Sequence, residues 1–65
     1  MSDYTNSQMR ELIEEHVHHQ RNRNLLCRRL IDGVGYEALG EEFDLSTQRV
    51  KAIVSQEKTK LYRYL

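Results

Sequence analysis

The residues best suited to chemistry lie in one short segment near the N-terminus. Glu14, Glu15, His16, His18 and His19 all carry groups that bind metal ions. On a helix, His16 and His19 would share a face, because residues three apart are neighbours there. A catalytic zinc ion needs three protein ligands with supporting groups behind them, and no further ligands stand nearby. We therefore interpret the segment as the solvated end of a helix without a metal or other cofactor, and leave any other role of its histidines open.

The single cysteine is the other intrinsically reactive side chain. Cys27 lies among apolar residues, where cysteine more often acts as a small buried side chain than as a nucleophile. It has no partner for an internal disulfide, which fits a reducing cytoplasm. No serine, histidine and carboxylate set suggests a catalytic triad. We expect no enzyme activity and no small-molecule substrate, because 65 residues give too little wall for a typical cleft of roughly 300–1,000 Å³.

The composition predicts one small folded domain. Of the 65 residues, 38 % are hydrophobic and 31 % are charged, and ten basic residues balance ten acidic ones. The charges alternate in blocks, since residues 1–20 and 32–44 are net negative whereas 21–31 and 45–65 are net positive. Such blocks can give a neutral chain one acidic and one basic face. No apolar run approaches the ~18 residues of a membrane span and the start lacks a signal-peptide pattern, so we expect a cytoplasmic protein without membrane contact.

Apolar residues repeat with the 3.6-residue period of helices, which predicts an all-α fold, a small bundle of four helices with no sheet. The segments of this single domain are an N-terminal helix over 5–20, a second helix over 22–32, a pair of helices over 36–55 and a C-terminal helix extension over 56–65. Residues with capping side chains, namely Asn22, Ser46 and one between Thr5 and Ser7, mark the helix starts. Gly33 is placed to end the second helix in the left-handed conformation.

Residues 36–55 carry the most informative pattern. A short helix from Tyr36 to Phe43, a three-residue turn and a second helix from Ser46 fit a helix-turn-helix. Apolar residues stand where the core of this motif requires them, at Leu39, Phe43, Leu45, Val50 and Ile53. Gly40 stands where the backbones must approach closely, which gives a structural reason for a residue that costs ~1 kcal/mol in helix propensity.

The run from Arg28 to Phe43, RRLIDGVGYEALGEEF, resembles the helix-turn-helix of bacterial sigma-factor region 4 and of related small phage or mobile-element regulators. The similarity lies in a helix that ends in Asp-Gly, an aromatic-Glu pair and the apolar spacing that follows, and it covers roughly residues 23–61. Two residues depart from the pattern of that family. Gly40 replaces the usual alanine, and Asp44 stands where a glycine commonly makes the turn, although Asp tolerates left-handed backbone.

The resemblance implies that the helix beginning at Ser46 binds double-stranded DNA in the major groove. The side chains implied to contact base edges are Thr47, Gln48, Lys51, Ala52 and Ser55. Those implied to contact phosphates, and so to position the protein, are Arg28, Arg29, Arg49, Lys58 and Lys60. The function implied is that of a small DNA-binding transcriptional regulator.

The same residues leave two questions open. The acidic side chains of the third helix suit DNA phosphates poorly, which favours a protein-interaction module with little DNA contact. By resemblance, such a module would bind RNA polymerase or a partner regulator. The aromatic tail over 61–65 either packs against the first helix or forms the seam of a homodimer.

Overall fold

The computed structural model describes residues 5–64, which contain four α-helices and no strand. The helices are α1 Asn6–His16, α2 Gln20–Leu30, α3 Tyr36–Phe43 and α4 Thr47–Tyr62. The predicted all-α fold is thus confirmed. Leu65, which the sequence assigned to the C-terminal extension, lies outside the described residues. No helix in the described range combines the length and apolarity needed to cross a bilayer.

α1 begins where its capping side chains predict but ends earlier than expected. The Thr5 Oγ1 accepts from the backbone N–H of Gln8 at 3.1 Å, and the Gln8 side chain accepts from the Thr5 N–H at 2.9 Å. This reciprocal capping box satisfies two donors that the helix leaves unpaired. The predicted end at residue 20 is wrong, since α1 stops at His16. The reason is Val17, whose backbone becomes extended while its side chain enters the core.

α2 begins at Gln20 rather than at the predicted Asn22 cap. The residue before it, His19, makes no side-chain capping bond. The connection is fixed from inside α2 instead, because the Arg23 Nε donates to the backbone oxygen of Val17 at 3.0 Å. The start of α2 is therefore set by the Arg23–Val17 hydrogen bond and not by a capping side chain.

The connection after α2 follows the expected geometry more closely. α2 ends at Leu30, before the predicted residue 32, and Gly33 follows with a φ of 73°, the left-handed conformation predicted for it. α3 then runs from Tyr36 to Phe43, as predicted. Its first turn follows Gly35, which acts as the N-cap without a side-chain bond.

The turn between α3 and α4 depends on two backbone features. Asp44 adopts a φ of 57°, a left-handed conformation that Asp tolerates better than most residues. The Leu45 N–H donates to the Gly40 oxygen at 2.7 Å and draws the turn onto the end of α3. Ser46 then caps α4, because its Oγ accepts from the Arg49 N–H at 3.1 Å. These bonds fix the direction in which α4 leaves the turn.

The core lies between all four helices, and α4 packs against each of the other three. Its buried apolar side chains are Ile13, Val17, Leu25, Leu26, Leu39, Val50, Ile53, Val54 and Leu61. Of the five core residues predicted from the helix-turn-helix pattern, Leu39, Val50 and Ile53 are buried, whereas Phe43 and Leu45 are partly buried against the core. With its inner face fixed in this way, α4 presents the opposite face to solvent.

Candidate nucleic-acid interface

The exposed face of α4 brings together the five residues predicted to contact bases. Gln48, Lys51, Ala52 and Ser55 are exposed, and Thr47 beside them is half-buried. Their 3.6-residue spacing places them on one side of the helix, over roughly 12 Å of its length. The core residues of α4 occupy the other side. The structure therefore makes this set available to a partner without any rearrangement of the core.

The charges on α4 are divided unevenly between its two faces. Its basic residues Arg49, Lys51 and Lys60 are exposed and Lys58 is half-buried. Its single carboxylate, Glu57, is only 6 % exposed and lies on the core side. The exposed surface of α4 from Thr47 to Tyr62 consequently carries positive charge and no negative charge.

Rotation around α4 orders these cations into two rows. At 100° per residue, Gln48, Ala52, Ser55 and Thr59 form a central uncharged stripe that points directly away from the core. One row of cations borders each side of this stripe. The first row consists of Lys51 and Lys58, and the second of Arg49 and Lys60.

Lys60 differs from the other three cations of α4 in being paired. Its Nζ lies 3.2 Å from the Glu57 Oε1, and part of its charge is thereby neutralised. Arg49, Lys51 and Lys58 take part in no ion pair within the described residues. The unpaired cations are therefore better placed than Lys60 to neutralise a phosphate.

Arg28, predicted to contact a phosphate, is already bound to carboxylates. Its Nε and Nη2 donate to the Glu42 carboxylate at 2.9 and 2.8 Å, and its Nη1 donates to Asp32 at 3.1 Å. The hydrogen bonds to Glu42 raise the pKa of Arg28, and the same bonds lower the pKa of Glu42. This bidentate arrangement joins α2 to α3, so a DNA phosphate would have to compete with two carboxylates for the guanidinium.

Arg29 also contacts the protein itself. Its guanidinium carbon lies 4.2 Å from the centroid of the Tyr36 ring, and its Nη1 donates to the Val34 oxygen at 3.2 Å. The Lys51 Nζ is 5.7 Å from the same ring. Two cations from different helices thus meet at one aromatic ring, which is favourable because the face of the ring is negative. Tyr36 was not among the residues predicted to contact DNA; its place at the first position of α3 is the only signal that the sequence offers for it.

Two other residues of this surface were not predicted to contact DNA, namely Thr59 and Tyr62, the latter assigned only to the aromatic tail. A cavity of about 280 Å³ lies between the start of α3 and the second half of α4. Thr59 and Tyr62 line it together with Lys51, Ser55 and Lys58. The Lys58 Nζ is 5.8 Å from the centroid of the Tyr62 ring. Their position on the exposed face of α4 follows from the helical period, but the cavity requires the packing of α3 beside α4.

An acidic surface borders the start of α4 on the other side. Glu37, Glu41 and Asp44 are exposed and line an open cavity of about 450 Å³ with Leu45, Ser46 and Thr47. The expectation that a chain of this length has too little wall for such a volume is therefore wrong, because the cavity is an open groove between two helices. Within residues 5–64 none of these three carboxylates forms an ion pair. Because Thr47 lines the same cavity, negative charge adjoins the face predicted to contact bases.

The histidine segment is not arranged as the sequence suggested. Because α1 ends at His16, the expected shared helix face of His16 and His19 does not form. The His16 ring instead stacks on Tyr64, with centroids 3.6 Å apart and planes 6° from parallel. This contact joins Tyr64 to the end of α1, and Leu61 is buried in the core, whereas Tyr62 is exposed on the far face of α4, so a homodimer seam at the tail stays a prediction. Among the described residues no three His, Cys, Asp or Glu side chains are grouped as metal ligands.

Comparison of the chain with models of protein families, with curated proteins and with solved structures finds no match. Its function must be inferred from its own residues and their geometry.

Proposed function

We propose that this protein is a small DNA-binding transcriptional regulator that places α4, from Ser46 onwards, in the major groove. The observation that carries this proposal is the order of side chains around α4. An uncharged stripe points away from the core, and a row of cations borders it on each side. No exposed carboxylate interrupts this surface between Thr47 and Tyr62.

This order suits a helix that lies in a DNA groove. Base edges lie in front of such a helix, and a phosphate strand runs along each side of it. Gln48 can make paired hydrogen bonds with adenine, and the Ala52 methyl group can contact the methyl group of thymine. Lys51, at the border of the stripe, reaches either guanine acceptors or a phosphate. The flanking cations supply contacts that position the helix without reading sequence.

The elements before α4 support the same proposal. α3, a three-residue turn and α4 have the order and core contacts that a helix-turn-helix requires, with Ser46 capping the second helix. The transcriptional role rests on the resemblance of residues 23–61 to sigma-factor region 4. The same resemblance makes RNA polymerase a candidate second partner.

Selection from a random duplex library, followed by fluorescence anisotropy with the selected duplex, tests the proposal. We expect binding that falls steeply as salt rises, because bound cations displace counterions from DNA. Gln48→Ala combined with Lys51→Ala should weaken binding to the selected duplex by about tenfold or more, since each good base contact contributes ~1–3 kcal/mol.

A matched control removes one glutamine amide and one cation elsewhere. Gln20→Ala combined with Arg10→Ala changes an exposed glutamine and an exposed cation beside a cavity between α1 and α2. We expect this variant to bind nearly as tightly as the wild type. Absence of salt-dependent binding by the folded wild type, or equal losses in the two variants, would refute the placement of α4 in the groove.

The acidic surface favours a second function, a protein-interaction module that binds a basic surface on RNA polymerase or on a partner regulator. Glu37→Gln combined with Glu41→Gln separates the two functions by the sign of its effect. If α4 binds DNA, the variant should bind more tightly, because repulsion of nearby phosphates is removed. If the acidic surface is itself the binding site, the variant should lose retention on immobilised RNA polymerase while wild-type protein shows no DNA binding.

A further inference from the structure

The cavity between α3 and the second half of α4 has the lining of an anion site. We infer that it binds one phosphodiester group of the DNA backbone, beside the bases that Gln48 and Ala52 contact; this inference rests on the proposed function and assigns Lys51 and Ser55 to the phosphate rather than to a base. The residues that carry the inference are Tyr36, Lys51, Ser55, Lys58, Thr59 and Tyr62.

The charge of this cavity is entirely positive. Two ammonium groups line it, from Lys51 and Lys58, and no carboxylate does. Neither lysine forms an ion pair within residues 5–64. Lysine and hydroxyl side chains are common phosphate contacts in DNA complexes. The lining therefore matches the chemistry of a phosphate oxygen better than that of a base edge.

Aromatic rings flank both cations. The Lys51 Nζ lies 5.7 Å from the Tyr36 centroid, and the Lys58 Nζ lies 5.8 Å from the Tyr62 centroid. Arg29 holds the Tyr36 ring in turn, at 4.2 Å from its centroid. Attraction to the rings limits the positions that the flexible lysine side chains adopt. The rings thus favour positions of the ammonium groups at the cavity before any ligand arrives, which lowers the entropy lost on binding.

The position of the cavity along α4 places it at the edge of the DNA groove. With a rise of 1.5 Å per residue, Lys58 lies about 15 Å beyond Gln48 along the helix axis. The major groove is about 12 Å wide. A helix whose first turns meet the bases therefore brings Lys58 and Tyr62 towards the sugar-phosphate strand that borders the groove.

Lys58→Gln tests this site, with Lys58→Arg as the conservative variant and Arg10→Gln as the matched control away from α4. The measurement is the dependence of binding on salt for the selected duplex and for a scrambled duplex. We expect Lys58→Gln to weaken both complexes by the same factor and to reduce the salt slope by about 0.9, the change for one lost phosphate contact. Lys58→Arg should restore the slope, and Arg10→Gln should leave it unchanged. Circular dichroism melting checks that each variant is folded.

A scan of the selected duplex with single neutral methylphosphonate linkages identifies the phosphate without relying on a variant. We expect one linkage beside the contacted bases whose neutralisation weakens the wild type clearly more than it weakens Lys58→Gln, in which only Lys51 still faces that phosphate. Equal salt slopes for Lys58→Gln and Arg10→Gln, with the wild type still binding DNA, would overturn this inference alone. Loss of all salt-dependent binding by the wild type would overturn the proposed function and this site together.

Discussion

The backbone oxygen of Leu45 lies 2.6 Å from the point that a Cβ atom at residue 40 would occupy. Gly40 lies inside α3, where glycine costs ~1 kcal/mol in helix propensity relative to alanine. The close approach of the turn explains why glycine is nevertheless suitable here. The neighbour is a backbone atom of Leu45, and the N–H of the same residue is held by its hydrogen bond to the Gly40 oxygen.

Gly40→Ala should therefore destabilise the protein in spite of the better helix propensity of alanine. The added methyl group forces the turn away from α3, and overpacking of this kind costs ~1–3 kcal/mol. Urea unfolding followed by circular dichroism measures the change. Gly35→Ala is the matched control, because nothing lies within 4 Å of a Cβ there, and its effect should stay within about 0.5 kcal/mol. Equal stability of the two variants would show that the turn moves freely.

The ion pair between Arg28 and Glu42 should make stability depend on acid pH. Its hydrogen bonds lower the pKa of Glu42 from an ordinary 4.5, so folding favours the charged carboxylate. The stabilisation is fully present above about pH 4.5 and is lost as pH falls through the lower folded-state pKa. Glu42→Gln should lower stability at pH 7, and its difference from the wild type should shrink below pH 4.5.

Glu41→Gln provides the comparison for that pH series. Glu41 is exposed beside Glu42 and forms no ion pair within the described residues. Urea unfolding of the three proteins between pH 7 and pH 3 should show the loss at pH 7 only for Glu42→Gln. Similar curves for both variants would mean that the pair with Arg28 adds nothing beyond general surface charge, as many exposed pairs do.

The fold could be predicted from the sequence because its signals are local. The 3.6-residue period predicts four helices, and the caps Thr5 and Ser46 mark two of their starts correctly. The left-handed conformations at Gly33 and Asp44 follow from residue type. The end of α1 was missed because burial of Val17 outweighs helix propensity, and burial depends on the whole core.

The exposed face of α4 could likewise be predicted, whereas contacts between helices could not. The period separates Gln48 and Lys51 from the core, since it fixes directions within one helix. The pairing of Arg28 with Glu42 and the contact of Arg29 with Tyr36 depend on how α2 packs on α3. Periodicity contains no information about that packing, so arginines expected to contact DNA were found bound within the protein.

Cys27 should react slowly with alkylating reagents. Burial raises the pKa of its thiol above an ordinary 9.0, an effect larger than that of the nearby charges. The reactive thiolate is therefore scarce near neutral pH. The rate of iodoacetamide modification at pH 8 should be lower in the folded protein than in urea. In a pH titration, the absorbance of the thiolate should appear at a higher pH in the folded protein than in urea. Because the chain has one cysteine, the signal belongs to this residue alone. A folded-state rate equal to that in urea would show that the thiol is fully accessible.

Replacement by methionine should affect the stability of the protein differently at Glu57 and at Lys60. The Glu57 side chain is 8 % exposed and that of its partner Lys60 is 62 % exposed. Glu57→Met replaces a buried charge with an apolar side chain of similar volume, so stability should stay equal or rise. Lys60→Met leaves the buried carboxylate without its cation and should lower stability by about 1 kcal/mol, less than for a fully buried pair. Thermal melts measure both changes, and a Lys60→Met variant as stable as the wild type would contradict the pairing.

If α4 binds DNA as proposed, Glu57→Met should also bind duplex more tightly at low salt, because the Lys60 ammonium is released towards the phosphates.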